Sequence, residues 1–363
     1  MWVYVLLLFV VGLLLIVSAI YIVRTTSHIF SKYIKNKIVV KIISFVPIIL
    51  FIIGLFIDTV NGIVVDIHLI AFIFLVKCIV FIVKKMFKFE VKETYIVGIG
   101  ILLTLFVLIN AHYRAFNVVE TDYTVYTEKN IGTKKFRIVQ ISDSHIGTTM
   151  DGKKFSKYMD DINALEPDIV VLTGDYVDDN TKYQDMIDAS EGLSHLKTKY
   201  GVYFIYGNHD KGYSNYRDFT DTEIKEELAK NNVVILEDEI VDITDKIVLI
   251  GRCDKENKNR LSIMELVKDL DHDKYLIVLN HQPNDYQNES QAKVDLVLSG
   301  HTHGGQLFPL GELGLLLGAN NKIYGMEKQN QTTFIVNSGI SDWAIKFKTG
   351  TISEYVVIDI KND

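Results

Sequence analysis

The sequence predicts an α/β domain preceded by an all-α membrane domain of four helices, on three observations. Four long apolar stretches lie within the first 113 residues, and short β-rich runs separated by polar, helix-compatible segments begin near residue 136. Apolar strands that alternate with amphipathic helices are typical of a sheet covered on both faces. Aspartate, asparagine and histidine residues follow five of the six strand-like runs, which indicates a polar site at the ends of the strands.

Composition narrows the class of protein. A chain of 363 residues is long enough for two domains. The net charge of −7 gives no indication of a nucleic-acid partner, and none is expected. Cys78 and Cys253 lie far apart and outside any CxxC motif, so we expect neither a disulfide framework nor a cysteine-based zinc site.

The four apolar stretches comprise residues 1–23, 38–57, 63–83 and 95–113. Each is long enough to cross a hydrocarbon core of about 30 Å as a helix. The first stretch carries no charge, and it lacks the basic start and the small-residue cleavage site of a signal peptide. We therefore expect four transmembrane helices over residues 1–113.

Basic residues predict the orientation of these helices. The loops 24–37 and 84–94 hold four lysine or arginine residues each, whereas the loop between the second and third spans holds none. Because basic loops stay in the cytoplasm, the N-terminus and the C-terminal domain are expected outside. The expected location is the cell membrane, with several passes and an extracytoplasmic catalytic domain.

Two charged residues, Asp66 and Lys77, lie inside the third apolar stretch. Both side chains can extend to the membrane interface. The alternative is a polar contact with a lipid headgroup or a neighbouring helix, and both alternatives stay open. The two residues cannot pair with each other, because they are eleven residues apart along one helix.

The second half of the chain reads as an α/β domain over residues 136–363, joined to the membrane domain by a linker at 114–135. The predicted strands lie in "FRIVQISDSH", "DIVVLTGD", "GVYFIYGNHD", "KIVLIGRCD", "YLIVLNHQP" and "VDLVLSGHTH". Between several of them fall the predicted helices, at residues 152–165, 180–197, 220–231 and 262–270.

The polar residues at the strand ends are candidate metal ligands. Open α/β sheets bind ligands beyond the carboxyl ends of their strands. The candidates that follow five strands are Asp143, His145, Asp175, Asp178, Asn208, His209, His281, His301 and His303. Each fragment alone is compatible with a turn or a helix cap. Five together indicate a common site.

The donor types indicate which metals suit the site. Oxygen and imidazole ligands suit Mn, Fe, Zn or Mg better than a sulfur-loving ion. Seven such ligands, fewer than the nine candidates, are already too many for one ion with an open position, and they match two ions about 3.5–4 Å apart that share a carboxylate. Since residues two apart in an extended stretch project to one side, His301 and His303 are expected to face the same cluster and to contact different ions.

The ordered motifs "DSH", "GDYVD", "GNHD", "NH" and "GHTH" resemble those of the calcineurin-like metallophosphoesterase superfamily, over about residues 136–360. The extension "GHTHGGQ" is similar to the bacterial membrane-attached branch. The resemblance implies a four-layer αββα sandwich and two divalent metal ions, with Mn first and Fe, Zn or Mg as alternatives.

The resemblance also implies a role for each matching residue. The first ion is expected on Asp143, His145, Asp175 and His303. The second is expected on Asp175, Asn208, His281 and His301, with Asp175 as the bridge. A water or hydroxide between the ions would attack phosphorus in line, His209 would serve as general acid or steady the charge, and Asp178 would orient His209.

The expected activity is hydrolysis of a phosphoester, with phosphodiester or pyrophosphate preferred and a lipid-linked substrate as one possibility. Asp179 stands where eukaryotic protein phosphatases of the superfamily carry arginine, so phosphoprotein hydrolysis is not expected. One alternative is hydrolysis of soluble extracellular phosphoesters or nucleotides, with the membrane domain only as anchor. A receptor that binds phosphate without turnover is disfavoured, because the ligand set is complete.

The segment "LFPLGELGLLLG", residues 307–318, directly follows the two histidines. Its leucines either form the core of a hairpin or make an apolar lip that contacts acyl chains. The sequence does not predict the oligomeric state.

Overall fold

The computed structural model describes residues 2–87, 90–212 and 216–362. The chain divides into two compact units, Met1–Asn110 and Ala111–Asp363.

The first unit is helical. Its helices are α1 (Trp2–Phe30), α2 (Lys37–Ile57), α3 (Thr59–Phe87) and α4 (Glu93–Phe116), the last of which ends beyond the unit boundary. Within the described part of the chain, three segments are long and apolar enough to cross a membrane: Lys37–Gly54, Thr59–Phe87 and Glu93–Phe116. They coincide with the second, third and fourth predicted spans. The first predicted span is helical, but most of its side chains lie outside the described residues, so its membrane crossing stays a prediction.

Lys77 and Asp66 have different environments in the helical unit. The Lys77 ammonium lies 3.4 Å from Oε1 of Glu93 and 4.0 Å from the centre of the Tyr21 ring. Of the two alternatives for Lys77, the structure therefore contains the contact with neighbouring helices. Asp66 is buried.

The second unit holds two six-stranded sheets. Their strands are β1 (Val118–Thr127), β2 (Lys135–Ile141), β3 (Ile169–Thr173), β4 (Val202–Ile205), β5 (Val233–Ile235), β6 (Glu239–Asp242), β7 (Ile247–Gly251), β8 (Tyr275–Leu279), β9 (Leu296–Ser299), β10 (Gly325–Gln329), β11 (Thr332–Val336) and β12 (Ser353–Asn362). The strand orders are β1-β12-β2-β3-β4-β5 and β10-β11-β9-β8-β7-β6, and both sheets mix parallel and antiparallel pairs.

Among the residues that the structure describes, seven α-helices accompany the sheets. They are α5 (Gly152–Asn163), α6 (Tyr183–Leu193), α7 (Asn208–Gly212), α8 (Asp221–Lys230), α9 (Ile263–Val267), α10 (Tyr286–Gln291) and α11 (Leu310–Leu316). Side chains just before several helices determine where they begin. The Asp151 carboxylate accepts the Lys154 N–H at 2.7 Å, and Thr220 with Glu223 forms a reciprocal capping box that satisfies otherwise unpaired N–H groups.

Strand residues alternate between two apolar clusters because successive side chains project to opposite faces. Val139 and Val170 pack in a cluster with α5, α6 and α8, whereas Ile138 and Val171 pack in a second cluster that also contains residues of β7, β8 and β9. A third cluster joins the second sheet to α9 and α10. These continuous apolar strands explain why the sequence predicted an α/β domain, and the fold is α/β with two mixed sheets.

The structure differs from the prediction in the segment read as a linker. Residues 118–127 form β1, which pairs in parallel with β12 from Val118↔Ser353 to Thr127↔Asn362. The segment is rich in valine, threonine and tyrosine, which are favoured in strands, but as an edge strand it buries only Val125.

Candidate metal centre

The predicted site residues lie where strands of both sheets end. Asp143 and His145 follow β2, Asp175 and Asp178 follow β3, and Asn208 and His209 begin α7 after β4. The second sheet contributes His281 after β8, and His301 and His303 after β9.

Among the described residues, three clusters of potential metal ligands form there, and the third of them consists of His145, Asp178 and His209. In each of them the donor atoms lie within 4.8 Å of one another. The first cluster consists of Asp143, His145 and His303. The second consists of Asp175, His281 and His301.

Asp175 belongs to the second cluster and also contacts His145 of the first. Its Oδ2 is 3.5 Å from Nε2 of His145 and 3.2 Å from Nε2 of His281. Its Oδ1 accepts the backbone N–H of His209 at 2.9 Å. Oδ1 of Asn208 lies 3.2 Å from Nε2 of His281, so Asn208 adjoins the second cluster.

The surroundings of His145 indicate whether these side chains suit a metal ion. Its ring is fully buried, and neither ring nitrogen has a hydrogen-bond partner among the described residues. The nearest carboxylate oxygens, on Asp175 and Asp178, are 3.5 and 3.6 Å away. Burial of polar atoms without partners is unfavourable, and a divalent cation next to imidazole and carboxylate would supply the missing interaction. The residues therefore fit divalent metal ions.

The backbone at the ligands is in the left-handed region rather than extended. The φ angles are 73° at His301 and 49° at His303, and those of Asp143, His145 and Asp175 are 51°, 34° and 54°. The expectation of an extended stretch at His301–His303 was therefore wrong, and a tight turn directs the two rings to different clusters. Such backbone strain is concentrated at functional sites, where the surrounding structure holds it.

Two glycines allow this close approach. A Cβ atom on Gly207 would lie 2.2 Å from Oδ1 of Asp175, and one on Gly300 would lie 2.3 Å from Oδ2 of Asp143. Neither position has room for a side chain, because the carboxylates pack against the backbone.

Burial and neighbouring charges shift the pKa values of the residues in the second cluster, lowering some and raising another. Burial favours the neutral form of Asp175, but the positive charges of His281 and His145 outweigh it and hold the pKa of the Asp175 carboxyl well below its usual value. Burial likewise opposes the charge on His281, but Asp175 raises the pKa of that imidazole to about 10. Burial and the charge of His281 lower the pKa of His301 to about 4. Without metal, His281 therefore carries a proton that a cation would displace.

His209 lies beside the first cluster and contacts two carboxylates. Its Nδ1 is 3.2 Å from Oδ1 of Asp179 and 3.5 Å from Oδ1 of Asp178. Burial lowers the pKa of His209, but these carboxylates and Asp175 outweigh it and raise the pKa to about 9. The sequence reading assigned Asp178 to this histidine and missed Asp179, the nearer carboxylate. Its position next to Asp178 in "GDYVDD" is the sequence feature that could have identified Asp179.

Asp210 is a second residue that sequence reasoning missed. Its fully buried carboxylate accepts the N–H groups of Asp175, Tyr176 and Gly207 at 2.9, 2.8 and 2.7 Å. It therefore fixes the turn after β3 against the turn after β4. Its position directly after His209 in "GNHD" was the signal for it.

A buried ion pair supports His303. Oδ1 of Asp342 lies 2.9 Å from Nζ of Lys348 and 3.5 Å from Nδ1 of His303, and neither Asp342 nor Lys348 is exposed. Asp143 is held in turn by the backbone N–H of His301 at 2.9 Å. Carboxylates that contact the second nitrogen of a ligating histidine orient its ring.

Known proteins resemble this chain. Residues 136–305 match the calcineurin-like phosphoesterase family. An uncharacterized metallophosphoesterase of Aquifex aeolicus is 34% identical over 209 residues, which cover 55% of this chain and 76% of that protein. One of Campylobacter jejuni is 31% identical, with 63% and 60% covered. A transmembrane protein with metallophosphoesterase domain of Bos taurus is 32% identical, with 60% and 51% covered.

The chain thus spans between about half and three quarters of the length of these relatives. The match begins where the ligand motifs begin and includes all five of them. The resemblance read from the motifs is confirmed: the chain belongs to the calcineurin-like metallophosphoesterase family and is a metal-dependent phosphoesterase.

Proposed function

We propose that this chain is an integral-membrane phosphohydrolase with a dinuclear metal centre, which cleaves phosphodiester or pyrophosphate bonds by in-line attack on phosphorus. The observation that carries the proposal is the position of Asp175. Its Oδ2 lies within 3.5 Å of a histidine of each cluster, where one carboxylate can serve two ions.

The proposed ligands of the first ion are Asp143, His145, Asp175 and His303. Those of the second are Asp175, Asn208, His281 and His301. Two divalent ions at these positions would acidify a water molecule and neutralise the charge on phosphate oxygens. The mixture of oxygen and imidazole donors supports Mn first, with Fe, Zn or Mg as alternatives.

We assign His209 as the general acid. With its pKa raised to about 9, the imidazole carries a proton at neutral pH. Nδ1 contacts Asp178 and Asp179, so Nε2 is assigned to the leaving-group oxygen. His209 lines the same groove as Asp175 and His303, where a substrate phosphate would lie.

Membrane integration is supported by the apolar helices and by the basic residues of segments 24–37 and 84–94. We propose a multi-pass protein of the cell membrane with its catalytic domain on the extracytoplasmic side. The three apolar clusters support a four-layer arrangement of helices and sheets. The pairing of β1 with β12 supports a catalytic domain that begins near residue 118.

Hydrolysis by the purified full chain in detergent tests the proposal. The substrates are a chromogenic phosphomonoester, a chromogenic diester and a lipid pyrophosphate, each with Mn or with chelator. We expect turnover that needs metal and is lost in Asp175→Asn. The matched control is Asp160→Asn, which changes an exposed carboxylate of α5. Turnover that survives both chelator and Asp175→Asn would overturn the proposal.

A further inference from the structure

A groove of about 410 Å³ leads away from the metal-binding side chains. Its floor includes Asp175, His209 and His303, and its walls are mainly apolar, with Leu307, Leu310, Ile323 and Trp343 among them. The Trp343 ring lies 5.5 Å from the His209 ring, so an apolar residue of the groove adjoins a polar one. A bound molecule that fills this groove would combine a polar end at the ligands with an apolar body.

The helix α11 forms one side of the groove and has no buried residue. Leu316 and Leu317 are each 83% exposed, and Phe308 is 66% exposed. Glu312 is the only charged residue in the segment 307–318. The leucines of α11 therefore do not form the core of a hairpin, and exposed apolar surface of this kind is typical of binding sites.

The groove narrows the choice of occupant. Because its floor is formed by the metal-binding residues themselves, whatever lies in the groove touches the reacting centre. That continuity favours a substrate over a protein partner. The same chain carries three apolar helices long enough to cross a membrane, so the protein meets lipids at high local concentration.

We propose that this groove binds the apolar chain of an amphiphilic phosphoester and thereby places its phosphorus at the ligand clusters. The inference rests on the proposed function and names the substrate class, a lipid that carries phosphate. Trp343 contacts the junction between headgroup and chain, a place where aromatic rings are favoured. The wall residues remove the chain from water and so increase affinity with its length.

Gly314 offers a way to close the groove. It lines the groove, and a Cβ atom added there would meet nothing within 4 Å. By contrast, a Cβ on Gly311 would lie 2.4 Å from the Cα of Gly305. The variant Gly314→Trp therefore fills the groove without a backbone clash. Leu317→Trp adds the same ring at the end of α11, outside the lining, and is the matched control.

Calorimetry on the Mn-loaded full chain in detergent measures the binding of butyl, octyl and dodecyl phosphonate. These compounds carry the phosphorus and the chain but have no ester to hydrolyse. In the wild type and in Leu317→Trp we expect Kd to fall about two- to fourfold per added methylene. In Gly314→Trp we expect the three compounds to bind with nearly equal Kd. Transfer of the phosphonates into detergent is the same for both variants, so their difference reports on the groove.

Equal affinity for the three compounds in the wild type would overturn the inference. So would a steep dependence on chain length that persists in Gly314→Trp, which would leave α11 to another occupant such as a protein partner. If Gly314→Trp does not bind Mn like the wild type, Gly314→Phe takes its place. If the wild type hydrolysed none of the esters in the presence of metal, the proposed function would be contradicted instead. Failure of the groove proposal and failure of the proposed function are therefore distinguishable.

Discussion

Oδ2 of Asp175 lies 3.2 Å from Nε2 of His281, and both side chains are almost fully buried. In the absence of metal this is an ion pair, because the pKa of Asp175 is held low and that of His281 is raised to about 10. A cation that binds both groups must take the place of the proton on His281. Metal binding and proton release are therefore coupled at this pair.

The first prediction is that Mn binding releases about one proton at neutral pH and strengthens as pH rises. The sign follows from the titration of His281, whose imidazole binds metal only after it loses the proton that it holds below pH 10. Calorimetric titration in two buffers with different ionisation enthalpies measures the number of protons released. A binding enthalpy that is independent of the buffer would contradict the coupling.

The second prediction concerns stabilisation by metal. Free Mn at about 100 times its Kd is expected to stabilise the wild type by about 2.7 kcal/mol, and chelator to remove that stabilisation. In His145→Ala the Tm difference between Mn and chelator should shrink to a small fraction of the wild-type value. The reason is that the substitution removes a fully buried ring that has no hydrogen-bond partner in the described part of the chain. Thermal unfolding of the full chain provides the measurement.

Asp160→Asn serves as the control for His145→Ala, because its carboxylate is exposed on α5. It should keep the full Tm difference between Mn and chelator. A His145→Ala protein that responds to Mn like the wild type would show that His145 holds no ion.

Strands were predictable where a short apolar run ends in the polar residues of a motif, as in the fully buried β3 and β8. β11 is equally short and fully buried, but it was not predicted. β12 was not predicted, although most of it is buried. Its place in the sheet depends on pairing with β1 on one side and β2 on the other. No periodicity in one segment can reveal that pairing, since the partners are more than 200 residues away.

The candidate ligands were predictable because each belongs to a short motif at a strand end. The carboxylates that position them were not. Asp342 contacts His303 and Lys348 only after the turn that follows β11 is packed against the turn that follows β9. Asp179 contacts His209 across 30 residues of sequence. Such contacts depend on tertiary geometry, which the spacing of motifs does not predict.

The third prediction tests His209 as the general acid. His209→Asn should lower kcat by about 10²- to 10⁴-fold for an alkyl leaving group. The loss should be much smaller for nitrophenolate, which leaves without a proton. Metal content should stay at the wild-type level, because His209 is not a proposed ligand. Steady-state kinetics on matched diesters with good and poor leaving groups measure the difference.

The same experiment distinguishes the two carboxylates beside His209. Removal of either negative charge lowers the pKa of His209, so the loss of activity at alkaline pH should begin at a lower pH. We expect a shift in both Asp178→Asn and Asp179→Asn, since both carboxylates lie within 3.5 Å of Nδ1. An equal loss of kcat for good and poor leaving groups would assign His209 to charge stabilisation instead.

The fourth prediction concerns the buried pair of Asp342 and Lys348. Lys348→Met leaves the Asp342 carboxylate without its cation in a site with no exposure, and it should lower the free energy of unfolding by about 3–5 kcal/mol. Adding Asp342→Asn should restore part of the loss, because the uncompensated charge is then removed. Thermal and denaturant unfolding of the two single variants and the double variant measure this coupling.

Lys268→Met is the control, since its pair with Asp269 is exposed and contributes little. Additive losses in the double variant would show that the two residues act independently, and His303 would then need another group to orient its ring.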